Sequence, residues 1–481
     1  MFAIILAALA VDFTAATGEI RPELHSSGFG PKICSQTAQE LADIKSMGFK
    51  AARTHDWAHI NSNERVCDYF HIFPLMRLDA NDPENYVFGP TDYLLKRTRE
   101  EAGLDVFYRL GTSIEHSGSK VHFNTKIPDD FDKMAEIFAA TVRHYNRGWA
   151  DGFNWGIRYW EIWNEPDGIL DMWCPPEGTE GLSETELAAK KDGCRRQFVR
   201  FFVTVLKRLK GEFGDTVKVG GPALQTFRAN WFVPIFEGCR KAGVAPDFIS
   251  WHGYAHDPMQ FNREAERARE LCDSYGFTKC ELIINEWHYF GENYDWIDMQ
   301  HCSDPKVKAR IWDGPDGFNA IRSACFTLAT LANMQKSKLS QAYYYGCRST
   351  GAWGFKDEMH RKYKVFYALK LFGDIVRDCR TICTSESEGT ITTFAATGVD
   401  GRKQLLVIDC GGTGRRISLD IKGVSDGLNV RCRVLDHTHD LEPIDVSFKD
   451  GKLELVKPDF HSAAFIAEFD SRPFHLESAG Q

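Results

Sequence analysis

Two glutamates in this sequence stand where an apolar run stops. In Tyr159-Trp-Glu-Ile-Trp-Asn-Glu-Pro166 a β-rich stretch closes on Asn164, Glu165 and Pro166. Proline has no amide hydrogen with which to continue a sheet ladder, so the Glu165 carboxylate is left at a strand tip. In Leu282-Ile-Ile-Asn-Glu-Trp287 a second buried-strand pattern ends on Glu286. Two carboxylates facing one cleft are what glycosidic-bond cleavage requires: one protonates the leaving oxygen while the other attacks or activates water. Asn164 can hydrogen-bond a sugar 2-hydroxyl, a contact that strengthens as positive charge develops at the anomeric carbon.

That chemistry needs a frame that brings distant segments to one mouth. From about Gly18 to Phe372, short β-rich runs alternate with amphipathic helical stretches that end in glycine, at Gly48, Gly103, Gly148, Gly214, Gly243 and Gly276. Glycine suits the left-handed position that closes a helix. Thr37-Ala-Gln-Glu40 and Ser183-Glu-Thr-Glu186 read as capping boxes at helix starts. The intervening runs give eight strands: Glu23–Ser27, Lys50–Thr54, Asp105–Leu110, Arg158–Trp163, Lys218–Gly221, Asp247–His252, Glu281–Asn285 and Gln341–Tyr345. Eight strand–helix units predict an α/β fold, a (β/α)8 TIM barrel over 18–372.

After Gly373 the texture changes to short alternating runs: Ile391–Phe394, Gln404–Asp409, Arg416–Ile421, Val430–Leu435, Asp445–Phe448, Lys452–Val456 and Ala463–Phe469. Turn pairs such as Asp400-Gly401 and Asp450-Gly451 separate them, which predicts a C-terminal antiparallel β-sandwich over 373–472 and a tail over 473–481. Within 1–17, Val11–Thr17 is a candidate extra strand of that sandwich. The apolar run Phe2–Ala10 ends small-x-small and reads either as the remnant of an export signal or as a first buried strand. On balance it favours export, periplasmic or secreted, over a cytoplasmic location.

In such barrels the active site lies at the C-terminal ends of the strands. The polar and aromatic residues there are His25; Arg53, His55 and Asp56; Arg109, Glu115 and His116; Asn164 and Glu165; His252 and Tyr254; Glu286; and Tyr345 with Trp353. Any one could be a structural hydrogen-bonder, but recurrence at most strand ends points to a site. Trp57, Trp287 and Trp353 are candidate platforms for a sugar ring, with packing at the barrel mouth as the competing reading.

Composition narrows the partners. The charge balance of 58 basic and 67 acidic residues leaves −9 over 481 residues, which argues against nucleic acid or an anionic membrane surface as partner. No membrane-inserting run follows the first dozen residues. Aromatic residues, at 13% with 12 Trp, suit an oligosaccharide or polysaccharide substrate. The 14 cysteines are scattered without zinc spacing and read as buried thiols, Cys174 and Cys194 being the candidate pair if the chain is exported. No His-x-His falls in the barrel segment (His437-Thr438-His439 lies beyond it), and with no His-Glu-x-x-His and no nucleotide-binding glycine loop, no cofactor and no metal are expected. A metal-dependent barrel using His25, His55, His252 or His256, and a non-catalytic carbohydrate-binding barrel, are the rivals. The pattern does not fix oligomeric state.

With Trp163-Asn-Glu-Pro166, Ile284-Asn-Glu-Trp287 and Ile249-Ser-Trp-His-Gly-Tyr254 on view, the sequence resembles the clan A glycoside hydrolases, most closely family 39, which includes β-xylosidases and α-L-iduronidases. The resemblance implies a retaining mechanism with Glu165 as acid/base and Glu286 as nucleophile. It also implies that Arg53 and Tyr254 keep the nucleophile ionised; with them, Asn164, His252, Trp287, Trp353 and, from its place at a strand end, His25 are the candidates for binding or positioning substrate. The sequence departs from the family after the acid/base, at Asp167-Gly-Ile-Leu-Asp-Met-Trp-Cys, and at Glu286-Trp-His-Tyr and Tyr343-Tyr-Tyr-Gly-Cys, which leaves the sugar open.

Overall fold

A computed structural model describes residues 8–28, 38–55, 57, 66–112, 127–168, 173, 179–295, 304–348, 353–357, 359–425, 428–458 and 461–470. Asp56, Glu115, His116, Cys174 and the Thr37 half of the first capping box lie outside the described residues. Strand β1 (Leu9–Glu19) precedes a closed barrel of eight parallel strands. These are β2 (Ser26–Gly28), β3 (Ala51–Arg53), β4 (Asp105–Leu110), β5 (Tyr159–Ile162), β6 (Lys218–Leu224), β7 (Phe248–Ala255), β8 (Glu281–Tyr289) and β9 (Gln341–Tyr345). The six glycines proposed to close helices all have positive φ. The Ser183–Glu186 box caps the helix Glu184–Phe213 as predicted.

Period-two alternation along the strands sorts the barrel interior into layers. Ala51, Phe107, Phe248, Ile283 and Tyr343, with Tyr159 against them, fill a lower apolar plug. Two residues further along the same strands stand Arg53, Arg109, Ser250, Asn285, Tyr345 and Glu161, all buried and mostly polar. The barrel therefore changes from hydrocarbon to hydrogen-bonding groups one pleat below its mouth.

The strands β10 (Thr381–Ser385), β11 (Ile391–Thr397), β12 (Lys403–Asp409), β13 (Arg416–Lys422), β14 (Asn429–Leu435), β15 (Asp440–Ile444), β16 (Ser447–Lys449), β17 (Lys452–Val456) and β18 (Ala463–Asp470) follow. With β1 they make one curled ten-stranded sheet, ordered β15-β14-β18-β12-β11-β10-β1-β13-β17-β16. β1 runs antiparallel to β10 and parallel to β13, so the N-terminal segment does join this sheet. One face closes on itself over Val11, Phe13, Leu405, Leu419, Leu453 and Phe465. The other, with Phe394, Leu406, Ile408 and Ile466, shares an apolar cluster with the barrel helices Ile321–Met334 and Lys364–Asp378.

Four local expectations are corrected. The first barrel strand starts at Ser26 rather than Glu23, because Pro22–Leu24 forms a 3-10 turn. β10 and β15 were not anticipated, and the strand expected at Asp445–Phe448 lies at Ser447–Lys449. Gly373 does not end the barrel, since the helix continues to Asp378. A Cβ there would meet the Met47 carbonyl at 2.1 Å, so this glycine marks a close helix-to-turn approach, and composition alone reads it as punctuation. No helix among the described residues is long and apolar enough to cross a membrane.

Candidate active site

The segment after β5 is bent to aim its polar groups inward. Trp163 and Glu165 have φ of 76° and 44°, in the left-handed region that non-glycine residues seldom occupy and that tends to cluster at functional sites. Trp163 is pinned outside the barrel against Trp173 and Phe201. The Glu165 amide donates to the Ala223 carbonyl at 2.8 Å. Between these anchors Asn164, fully buried, and Glu165, 7% exposed, face the mouth.

On the opposite side a register shift does the equivalent work. Trp251 pairs with Ile284, but His252 pairs with Glu286, so β8 carries one extra residue there. Such a bulge breaks the alternation of faces. Asn285 and Glu286, neighbours that a regular strand would send to opposite sides, both serve the interior.

The two glutamates meet around one imidazole. His252 Nδ1 lies 2.6 Å from Glu165 Oε1, and its Nε2 lies 3.6 Å from Glu286 Oε2. One oxygen of each carboxylate and a nitrogen of His252 fall within 4.8 Å of one another. The Tyr254 hydroxyl donates to Glu286 Oε1. Glu286 Oε2 has no hydrogen bond among the described residues and faces Arg53 Nη1 at 3.5 Å and His55 Nε2 at 3.8 Å. The nucleophile candidate thus has one hydrogen-bonded oxygen and one that is buried without a hydrogen bond among the described residues. Asn164 accepts from Arg53 Nη2 at 2.7 Å through Oδ1, while its buried Nδ2 has no partner among the described residues and remains available as a donor.

Burial pushes the Glu286 carboxyl up to about 7; His252, Arg53 and the Tyr254 hydroxyl pull it down, and Glu165 adds to the rise. Arg53 pulls Glu286 toward the ionised form, but burial outweighs that pull. Two of its guanidinium nitrogens are directed at Glu161, each at 2.7 Å, and only the third turns toward Glu286.

Of the residues singled out in the sequence, Arg53, Asn164, Glu165, His252, Tyr254 and Glu286 come together. Trp353, half-buried, stands against this group with its ring 5.8 Å from Tyr254 and 5.2 Å from Tyr345. His25 does not join them: it precedes its strand, at the N-terminal end of the barrel, where its ring packs on Phe49 and Phe372 and Nε2 meets the Met47 carbonyl. Trp287 points outward to Phe261 and Tyr344, and Trp57 is 1% exposed in the core. Arg109 is buried against Asp68.

Sequence reasoning missed Gln225, whose Nε2 reaches Glu165 Oε2 at 3.3 Å. The strand before it was ended at Gly221, three residues short of its actual end at Leu224. Asp167 was also missed. Its Oδ1 accepts from the Gln225 amide, its Oδ2 pairs with Arg228, and burial raises it to about 7.

Comparison with known proteins follows the same line. No family model matches the chain. Over 223 residues, 44% of this chain, it is 26% identical to a β-xylosidase of Caldicellulosiruptor saccharolyticus, and the match spans 38% of that protein's length. Among solved structures, a glucosidase from Croceicoccus marinus superimposes with a TM-score of 0.71 at 19% identity, covering 97% of this chain and 100% of that one. A family 39 β-xylosidase from Caulobacter crescentus gives 0.64 at 15% identity, with 97% and 100% covered. This chain has their fold. The barrel with an appended, mostly antiparallel sheet is thus shared over nearly the whole chain, sandwich included.

Proposed function

We propose that this chain is a retaining glycoside hydrolase, xylosidase-like, that cleaves O-glycosidic bonds by double displacement. The observation that carries the reading is the approach of Glu165 and Glu286 to within 4.8 Å across the barrel mouth. Retaining pairs stand about 5–5.5 Å apart so that one carboxylate can bond directly to the anomeric carbon, whereas inverting pairs need about 6.5–9.5 Å to admit a water. Glu286 Oε2 attacks, and Glu165 gives its proton to the leaving oxygen. Glu165 then removes a proton from the water that releases the sugar. With Glu165 protonated, its hydroxyl donates to His252 Nδ1, which places the imidazole proton on Nε2, facing Glu286. One histidine thereby favours the ionisation state that the first step requires. Asn164 Nδ2 is the donor for the substrate 2-hydroxyl.

A panel of chromogenic pyranosides and arabinofuranosides, followed by proton NMR of the first-formed product, tests the reading. Retention at the anomeric carbon is the expected result, and inversion would falsify the mechanism.

Two further outcomes are expected. Dialysis against a chelator leaves turnover intact; a loss restored by a divalent ion would instead assign Glu165, His252 and Glu286 to a metal. Trp353→Ala raises KM by about tenfold with kcat within about threefold, because stacking on a sugar is shared by ground and transition states. An unchanged KM in the folded variant would return Trp353 to mouth packing.

A further inference from the structure

We infer that Glu161, buried one pleat below the mouth, is the positioning residue that locks both catalytic glutamates into register; the inference rests on the reading of Glu165 and Glu286 given above. Its side chain is wholly enclosed. Four donor atoms converge on it: Arg53 Nε and Nη2, each 2.7 Å from Oε2, and Ser250 Oγ and Asn285 Nδ2, each 2.6 Å from Oε1. Only an acceptor-only group satisfies four donors with two oxygens, and among side chains that is a carboxylate. The charge of Arg53 balances it in a site without solvent, where either ion alone would be strongly disfavoured.

Each arm of this hub ends at the site. Through Arg53 it reaches Asn164 Oδ1 and stands 3.5 Å from Glu286. Through Ser250 it reaches the Ala223 amide, which donates to Ser250 Oγ at 2.9 Å, and the Ala223 carbonyl in turn holds the backbone amide of Glu165 at 2.8 Å. Through Asn285 it grips the extra residue of the β8 bulge, whose chain neighbour is Glu286. Four strands, β3, β5, β7 and β8, are tied at one carboxylate; the nucleophile is the chain neighbour of Asn285, which bonds that carboxylate directly, and the acid/base is three hydrogen bonds away through Ser250 and Ala223. Ala223 has φ of 57°, so the Ser250 arm also pins a strained backbone under Glu165.

Glu161→Gln tests this with nearly the same volume, because a glutamine offers one oxygen and places an NH2 against existing donors. Rates are to be normalised to active sites titrated with a 2-fluoro glycoside, so that misfolded protein does not count. The expected result is a fall in kcat of about 10- to 100-fold with KM within about threefold, as for a sub-ångström misplacement of reacting groups. Ser250→Ala removes only the arm that runs to Glu165. It should therefore slow substrates with poor leaving groups, which need the acid, more than activated aryl glycosides, whereas Glu161→Gln slows both. Should Glu161→Gln fail to fold, Ser250→Ala decides alone. A normalised kcat for Glu161→Gln within threefold of wild type overturns the inference, and so does an equal loss on both substrate classes for Ser250→Ala. A wild-type protein that turns over nothing, or carries the label away from Glu286, brings down the reading of the site itself, and Glu161 with it.

Discussion

Glu286→Ala abolishes turnover, by about 10⁵-fold or more, since no covalent intermediate can form without the attacking oxygen. Glu165→Ala fails differently. A leaving group of high basicity needs a proton as its bond breaks, and loss of a positioned acid is worth about 10²- to 10⁴-fold there. An activated aryl leaving group needs almost none, so its first step survives and the glycosyl-enzyme accumulates for want of a base. The contrast between two substrates in one variant is more telling than either rate. In the wild type, a 2-fluoro glycoside of the right sugar should label Glu286 through the oxygen that has no hydrogen bond among the described residues. Peptide mapping that finds the label elsewhere, or equal losses on both substrates for Glu165→Ala, would sink the assignment.

How far the sequence leads to this site depends on where periodicity holds. Eight barrel strands were legible because each is a short buried run bracketed by helices with glycine ends, and the ends of β4 and β9 match the expectation residue for residue. Parity counted from Ile283 and Asn285 would have kept Trp287 inside the barrel, whereas the bulge turns it out against Tyr344. The same parity would have rejected Glu286, which turns inward only because of the bulge at Asn285. A bulge leaves no mark in a pattern of apolar residues, so the residue type at a strand tip was the better guide. His25 was misplaced because Pro22 makes a turn where the run reads as a strand. Glu161 was visible inside the most informative motif, yet a charged residue in a buried strand shows its purpose only when Arg53, Ser250 and Asn285, from three other strands, are seen around it.

The burial that assembles this site also sets a stability cost that pH should reveal. Glu286 holds its proton up to about 7 in the folded protein, against 4.5 for an ordinary glutamate. Between those limits the unfolded chain has released the proton and the folded one retains it, so the unfolded state binds fewer protons and stability falls as pH rises. Over the 2.5 units between 4.5 and 7 this amounts to about 3 kcal/mol at 1.36 kcal/mol per unit. The groups facing Glu286 are Arg53 and His55 from β3 and the segment after it, Glu165 from β5's end, and His252 and Tyr254 from β7; burial outweighs their net pull. Glu286→Gln removes the charged form and keeps the volume. Its melting temperature should match wild type near pH 4.5 and exceed it by a few degrees above pH 7, with the gap opening between. Activity of the wild type on an activated aryl glycoside should run the other way, climbing as pH rises through about 7 and the nucleophile ionises. The protein thus gives up stability in the pH range where it gains its reactive carboxylate. Melting curves of the two proteins that stay parallel from pH 4.5 to 8, or an activity limb at the ordinary carboxylate range near 4.5, would refute the link between burial and reactivity at Glu286.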